Sequence, residues 1–140
     1  MMMPDVNVLL GAFRADHPHH GLCKPWLDRL SASGETYALS TLVLSAVVRI
    51  VTNSRIFVNP STSVEAFDFC DTLLEHPAAA LTTPGPEHWA IFKRLCTALN
   101  IKGATVTDAW FAALAIEGGH EMVTLDRDYG RIPGLKWRMP

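Results

Sequence analysis

The sequence predicts an α/β fold in which helices cover both faces of a mainly parallel sheet. Short apolar runs typical of buried strands alternate with longer segments whose apolar residues recur at helical spacing. This alternation favours right-handed βαβ units, which place successive strands side by side and parallel. The chain has 140 residues, a length that fits one compact domain over residues 1–140.

The N-terminal part predicts a strand followed by a helix. Asp5 precedes the apolar run 6–10, which we interpret as the first buried strand. Pro4 cannot donate to a sheet ladder, so we expect the pairing there to be short or irregular. From His20 onwards, apolar residues at helical spacing predict a helix that ends near Gly34.

The middle of the chain predicts one strand and two helices. Residues 37–39 form a short apolar run and are predicted as the second strand. The segment from about 41 to 52 is apolar nearly all round and predicts a buried helix. A loop with Pro60 follows, and Ser63 can cap a further helix, which ends just before Pro77.

The C-terminal part predicts two helices and three strands. One helix opens at Pro86, and the next is capped by Thr105 or Thr107 and stopped by two glycines at 118–119. The three strands are predicted over 78–82, over 121–125 with Asp126 at its end, and over 135–137 at a sheet edge.

Bulk composition limits the function only in part. The formal net charge is −2, which argues against a protein that binds nucleic acid through an overall positive charge. It does not exclude an enzyme whose metal ion neutralises carboxylates and receives a phosphate. The N-terminus lacks the features of a signal peptide, and the longest apolar stretch, 38–48, is too short to span a bilayer.

The cysteines predict a reducing compartment. Cys23, Cys70 and Cys96 are widely spaced, odd in number and contain no CxxC pair. Each lies in an apolar helical pattern, so we interpret them as reduced core residues. The sequence therefore predicts a soluble cytoplasmic protein without a membrane partner.

Three acidic residues are candidate metal ligands. Asp5 and Asp126 lie near predicted strand ends, and Asp108 lies in the first turn of a predicted helix. Ligands of parallel α/β sheets bind outside the carboxyl ends of the strands, where these acids can converge. Mg²⁺ prefers such oxygen ligands. The alternative is that Asp108 complements the helix dipole and the other two are ordinary turn acids.

Three motifs resemble those of PIN-domain ribonucleases. Residues 5–10 (DVNVLL) resemble the opening motif, 105–109 (TVTDA) the third acidic motif and 124–129 (TLDRDY) the closing motif. Three further segments resemble one subgroup of the VapC toxins of type II VapBC toxin–antitoxin systems: residues 16–20 (DHPHH), 51–55 (VTNSR) and 114–117 (LAIE). The resemblance covers nearly the whole chain, and the order and spacing of the motifs carry it.

The resemblance implies a PIN-like three-layer α/β/α sandwich and a magnesium-dependent ribonuclease site. Asp5 and Asp108 would be the main Mg²⁺ ligands, with Mn²⁺ as a possible substitute. Asp126 would complete the acidic cluster directly or through water. Asn7 would hydrogen-bond an acidic side chain or a metal-bound water. Arg127 is a candidate contact for substrate phosphate, or equally a solvated surface residue.

One position departs from the pattern of the family. Many PIN toxins carry a glutamate in the helix after the second strand, where Ala46 stands in this chain. One expected anionic ligand is therefore missing, which leaves two hypotheses. The chain is an active endoribonuclease toxin, expected to be a homodimer restrained by a VapB-type antitoxin, or it is a catalytically weakened PIN-fold module that binds antitoxin or RNA.

Other candidate residues have simpler interpretations. His17, His19 and His20 fit a surface turn better than a metal cluster. Trp26 and Trp89 lie on apolar helical faces and are predicted to pack in the core, whereas Trp110 is a candidate for contact with RNA or a partner. Arg49 and Arg55 either bind RNA phosphate or cap helix carbonyls.

A phosphatase of the haloacid dehalogenase kind is a third hypothesis. That family also places an aspartate after its first strand, but it requires a second acid two residues later, where Asn7 stands.

Overall fold

The computed structural model describes residues 1–140 and contains five short strands and six α-helices. The strands are β1 (Met2–Pro4), β2 (Tyr37–Leu39), β3 (Ala79–Leu81), β4 (Glu121–Val123) and β5 (Lys136–Arg138). The helices are α1 (Val6–Phe13), α2 (His20–Ser33), α3 (Thr41–Val51), α4 (Ser63–Glu75), α5 (His88–Ala98) and α6 (Thr105–Gly118). A 3₁₀ helix (Arg127–Arg131) links β4 to β5.

All strand pairs in the sheet are parallel. The strand order is β3-β2-β1-β4-β5, so β1 lies at the centre. Met2 to Pro4 of β1 align with Glu121 to Val123 of β4. The predicted α/β class with a mainly parallel sheet is confirmed. The carboxyl ends of β1 and β4 are neighbours, and the segments that follow them therefore meet at one edge.

Helices bury the sheet on both faces. The side chains of all three β2 residues are buried, and successive side chains of a strand point to opposite faces. Among the helices, α1 packs against α2 and α3, α3 packs against α4, and α5 packs against α6. None of these helices is long and apolar enough to cross a membrane.

The first strand lies before Asp5, not after it. Residues 6–10, predicted as a strand, form the first turns of α1, and β1 is the three-residue segment that ends at Pro4. Asp5 itself supplies the next sheet hydrogen bond, from its backbone nitrogen to the Val123 oxygen at 2.9 Å. The expectation of a short strand near Pro4 is confirmed, since only Met2 of β1 is in register with β2.

Two predicted helix caps are wrong by one or more residues. The oxygen that caps α4 belongs to Thr62, which accepts a hydrogen bond from the Glu65 nitrogen at 3.2 Å, and Ser63 is the first helical residue. No side chain caps α6. Thr105 instead opens that helix and donates its hydroxyl to the Lys102 oxygen.

Trp89 is on the surface and not in the core. Its side chain is 69% exposed, whereas Trp26 is buried as predicted. The neighbouring residue His88 packs against α6 instead and is only 3% exposed. Its ring contacts the Trp110 ring, and its Nε2 is hydrogen-bonded to the Trp110 backbone oxygen at 3.0 Å. Trp89 makes an edge-to-face contact with Phe92.

Arg14 ties the end of α1 to the loop between α3 and α4. Its guanidinium forms two hydrogen bonds with the Asp16 carboxylate, at 2.8 and 2.6 Å. It also donates to the Ser61 hydroxyl at 3.0 Å and to the Asn59 oxygen at 2.9 Å, and it lies over the Phe57 ring. A single side chain therefore anchors two loops at the end of α1 that is remote from Asp5.

Glu117 fixes the loop before α5 to the end of α6. Its two carboxylate oxygens accept hydrogen bonds from the backbone nitrogens of Gly85 and Glu87, each at 2.8 Å. These bonds hold the pKa of Glu117 below its usual range. The segment 114–117, noted above as a motif, thus has a structural role.

Candidate metal centre

Asp5 lies at the carboxyl end of the central strand, where it also begins a helix. Its Oδ1 accepts a hydrogen bond from the Val6 nitrogen at 2.7 Å and so caps α1. The side chain is only 6% exposed. A short polar side chain is favoured at this position because it satisfies a free N–H of the first helical turn.

Asn7 and Thr124 hold the Asp5 carboxylate in place. The Thr124 hydroxyl donates to Oδ2 of Asp5 at 2.7 Å, and the Asn7 amide nitrogen donates to the same oxygen at 3.1 Å. The Asn7 oxygen accepts from the Leu125 nitrogen at 3.0 Å. The segment that follows β4 is thereby joined to the start of α1, and the orientation of the Asp5 carboxylate is fixed.

Asp126 lies close by because the same network positions its backbone. Its nitrogen donates to the Thr124 hydroxyl oxygen at 3.1 Å. Its own Oδ1 accepts from the Asp128 nitrogen at 2.9 Å and caps the 3₁₀ helix. One carboxylate oxygen of the half-buried Asp126 therefore has no partner among the hydrogen bonds of the chain.

Asp108 approaches from α6 and lines a cavity of about 150 Å³. We call it the Asp108 cavity. Its polar side is formed by Thr105, Asp108, Asp126, Asp128, Tyr129 and Arg131. Two of the three predicted acids, Asp108 and Asp126, thus share one cavity. Asp5 does not line it but lies within electrostatic range of both.

The three acids interact unfavourably with one another. Burial, with a smaller contribution from the charges of Asp108 and Asp126, raises the pKa of Asp5 from 3.8 to about 6 against the lowering effect of the hydrogen bonds from Thr124 and Val6. Burial and the Asp126 charge also raise the pKa of Asp108. Neither of the ion pairs in the chain involves any of these three residues. Their negative charge is therefore not compensated within the protein.

Tyr129 adds an unsatisfied polar atom to the site. The residue is almost fully buried, and its hydroxyl lacks a hydrogen-bond partner of good geometry. Burial and the charges of Asp5, Asp108 and Asp126 raise the pKa of this hydroxyl far above its usual range. It lies close enough to the Asp108 carboxylate for a weak, poorly aligned hydrogen bond, which lowers the pKa of Asp108. A buried unpaired hydroxyl commonly marks a place for water, an ion or a ligand.

The donor set fits a hard divalent cation with several water ligands. No three carboxylate, histidine or cysteine side chains are close enough together to bind one metal ion directly. Mg²⁺ is usually held by one or two carboxylates and keeps several waters. Uncompensated carboxylates beside an unpaired hydroxyl agree with such a hydrated ion and disagree with a closed structural zinc site.

Sequence reasoning missed three residues at this site. Thr124 lies in the closing motif, but nothing in the sequence indicates its hydrogen bond to Asp5. Tyr129 and Arg131 line the cavity because the segment after β4 turns into a 3₁₀ helix, which no periodicity in the sequence signals. Arg127 is exposed on the same helix.

A family model describes the chain as a PIN domain. The match covers residues 2–135, and the chain belongs to the PIN domain family. The five-stranded parallel sheet with its six helices is accordingly the PIN-type α/β/α sandwich predicted above. This membership excludes the hypothesis of a haloacid dehalogenase fold.

Similar proteins carry ribonuclease names. Ribonuclease VapC25 of Mycobacterium tuberculosis is 38% identical over 140 residues, which cover 100% of this chain and 99% of the relative. VapC ribonuclease Mb2897 of Mycobacterium bovis is 37% identical over 140 residues, with 95% of the relative covered. The resemblance to VapC toxins found in the motifs is therefore confirmed.

Solved structures share the fold at lower identity. VapBC2 from Rickettsia felis, bound to a DNA fragment from its promoter, superposes with a TM-score of 0.73 at 22% identity and covers 99% of this chain and 97% of the other. VapC20 of Mycobacterium tuberculosis, described as a sarcin–ricin loop cleaving toxin, gives 0.70 at 12% identity, with 93% of each chain covered.

Proposed function

We propose that this chain is a divalent-metal-dependent endoribonuclease and the toxin of a VapBC-type toxin–antitoxin pair. The observation that carries the proposal is the buried Asp5 carboxylate, which is held by Asn7 and Thr124 and lies near two further acids without any compensating cation. Such an arrangement destabilises the protein unless a cation binds, which is typical of functional sites.

Each acid has a distinct role in this proposal. Asp5 and Asp108 bind Mg²⁺, for which Mn²⁺ can substitute, and Asp126 contributes directly or through a water. Asn7 is a positioning residue, because it donates to the Asp5 carboxylate and accepts from the Leu125 backbone. When bound, the metal supplies a water of lowered pKa and neutralises charge on the scissile phosphate.

The substrate class follows from the charge of the molecule and from its relatives. The net charge of −2 does not favour the long-range electrostatic attraction on which duplex binding largely depends. The relatives at 37–38% identity are named ribonucleases. We infer that this chain cleaves single-stranded or looped RNA, where a phosphate can reach the acids without unwinding of a helix.

The partner is a VapB-type antitoxin. Structures with the same fold are described as VapBC complexes, including one from Salmonella typhimurium bound to DNA. An open groove between α1 and α4 has Phe13 and Phe69 on its apolar side and Glu65 and Asp68 on its acidic side. This groove suits an amphipathic helix with basic residues. We propose a cytoplasmic homodimer that an antitoxin restrains.

A catalytically weakened binding module is the second candidate. By the family resemblance, Ala46 stands where many PIN toxins carry a glutamate, and no group of three metal-ligating side chains is present. A module of this kind would still bind antitoxin or RNA but would not cleave RNA.

The deciding experiment incubates the purified chain with a panel of structured RNAs in Mg²⁺, Mn²⁺ or EDTA. Cleavage that requires a divalent ion and is lost in Asp108→Asn supports the enzyme. Binding of RNA without cleavage in either metal supports the weakened module instead. Cleavage that persists in EDTA would contradict the metal-dependent mechanism.

A further inference from the structure

The Asp108 cavity has an apolar side that metal-assisted hydrolysis does not use. This side is formed by Leu99 and Ile101, which follow α5, by Ala109 from α6 and by Ile132 after the 3₁₀ helix. Leu99 is 37% exposed, and Ile101 and Ile132 are only partly buried. A hydrated cation gains nothing from such a wall, since it prefers oxygen ligands. The wall is therefore suited to an apolar part of a ligand.

The apolar wall directly adjoins the acids. Ala109 follows Asp108 in α6, and both residues line the cavity. A nucleotide whose phosphate lies at the acids must place its sugar and base beside them. In single-stranded RNA the base is the part with a large apolar surface, and proteins recognise unstacked bases by contacts with their faces and edges.

We propose that the Asp108 cavity binds the nucleobase of a nucleotide next to the scissile phosphate. The inference rests on the ribonuclease function proposed above. The Tyr129 hydroxyl is the polar group best placed for such a ligand, because it is buried, lines the same cavity and has no hydrogen-bond partner of good geometry in the chain. It supplies a hydrogen bond to the base or its sugar.

The charges around the cavity agree with a neutral base. Asp108, Asp126 and Asp128 all line it and would repel an anionic group that lacks a bound cation. Arg131 also lines the cavity and takes part in no ion pair. Its guanidinium is free to contact a phosphate of the bound nucleotide.

Nucleotide binding tests the proposal without any need for cleavage. The probes are adenosine, guanosine, cytidine and uridine 5′-monophosphates, with ribose 5-phosphate as the base-free control, all in Mg²⁺. We expect at least one nucleotide to shift the NMR methyl signals of Leu99, Ile101 and Ile132. Its affinity should exceed that of ribose 5-phosphate about tenfold, the gain expected when roughly 60 Å² of apolar surface leaves water.

A matched pair of leucine variants assigns the binding to this cavity. Leu99→Ala should remove most of the preference over ribose 5-phosphate. Leu22→Ala should keep it, because Leu22 is similarly exposed, at 40%, but lies on α2 away from the cavity. Equal affinity for all five probes, or a preference that Leu99→Ala leaves unchanged, would overturn the proposal. If Leu99→Ala does not fold, the methyl shifts of the unmodified protein decide.

Cleavage assays separate this inference from the proposed function. RNA that is cut in the panel is resynthesised with an abasic residue on either side of the cut. Loss of about tenfold in cleavage rate at one of the two positions supports base binding. Equal cleavage of normal and abasic RNA rejects the base site but keeps the ribonuclease. Nucleotide binding in a protein that cleaves no RNA rejects the ribonuclease but keeps the base site.

Discussion

The two ends of helix α1 carry aspartates in opposite electrostatic situations. Asp5 begins the helix, is buried, and faces two other acids without a cation. Asp16 follows the helix, is exposed, and forms two hydrogen bonds with Arg14. Accordingly, burial raises the pKa of Asp5, whereas the Arg14 hydrogen bonds hold the pKa of Asp16 below its usual range.

The difference separates a structural charge from a functional one. At the C-terminal end of α1, Arg14 and Asp16 neutralise each other's charge. Arg14 also joins two loops, so this end of the helix stabilises the fold. The Asp5 end leaves charge uncompensated in a buried place, which costs stability until a cation is bound. Four variants or conditions test this contrast, from the largest expected effect to the smallest.

Replacing Asp108 by asparagine should abolish metal-dependent cleavage, with a loss of about 100-fold or more, since metal stabilisation of charge contributes several kcal/mol. The fold should remain intact, and melting in EDTA should be unchanged or higher because one unfavourable charge is removed. Asp71→Asn, at an exposed site on α4, is the control and should cleave normally. Retained cleavage at saturating Mg²⁺ would remove Asp108 from the site.

Ala46→Glu should add a fourth carboxylate to the group formed by Asp5, Asp108 and Asp126. Ala46 is half-buried in α3, which begins after β2 at the same sheet edge as Asp5. We expect Mg²⁺ binding and cleavage to rise about tenfold, with a destabilisation of about 1 kcal/mol in EDTA from like charges. The signature is a crossover, in which added Mg²⁺ stabilises the variant more than the parent.

Melting curves with and without Mg²⁺, beside a cleavage time course, measure this crossover. Destabilisation under both conditions with no gain in cleavage would mean that Ala46 packs away from the acids.

Arg14→Ala should lower the stability of the fold without affecting the acidic site at the N-terminal end of α1. Loss of its hydrogen bonds and of the contact with Phe57 should lower the free energy of unfolding by about 1–3 kcal/mol. Cleavage per folded molecule should not change. Lys24→Ala is the control, because it breaks an exposed pair with Asp28 that is worth less than about 1 kcal/mol. Urea unfolding compares the two.

The smallest expected effect is a shift in the pKa of Asp5 caused by Asp108→Asn, which carboxyl NMR in EDTA can measure. Folding raises the pKa of Asp5 from 3.8 to about 6, so its ionisation increasingly destabilises the fold as the pH rises through that range. Asp16 behaves in the opposite way, and its contribution is lost as the pH falls. Asp108→Asn should lower the pKa of Asp5; an unchanged value would show that the two acids do not interact.

The sequence predicted the fold class but not its first strand. Strand β2 occurs at 37–39 as predicted, because it is short, apolar and bounded by polar residues. The apolar run 6–10 fits a strand and a buried helix equally well by periodicity. What decides is the Asp5 carboxylate, which caps a helix at that point, together with the backbone bond from Asp5 to Val123.

In the candidate site, residues at the ends of strands could be predicted from the sequence, whereas residues on irregular segments could not. Asp5 and Asp126 could be identified because the ends of parallel strands meet at one sheet edge. Tyr129 and Arg131 could not, since their positions depend on the course of a five-residue 3₁₀ helix. The apolar pattern predicts Trp89 in the core, because it cannot show that the neighbouring residue His88 takes the buried position.

The hydrogen bond between Thr124 and Asp5 has a consequence for the order of events during synthesis. These two residues are 119 positions apart in the sequence. The central strand β1 pairs with β2 and β4, and its pairing with β4 can form only after β4 has been synthesised. Chains fold as they emerge, from the N-terminus onwards, and contacts between distant segments form late. A ribosome-bound chain that still lacks β4 therefore carries Asp5 without its bond from Thr124, and the acidic cluster assembles only after β4 and Asp126 have been synthesised.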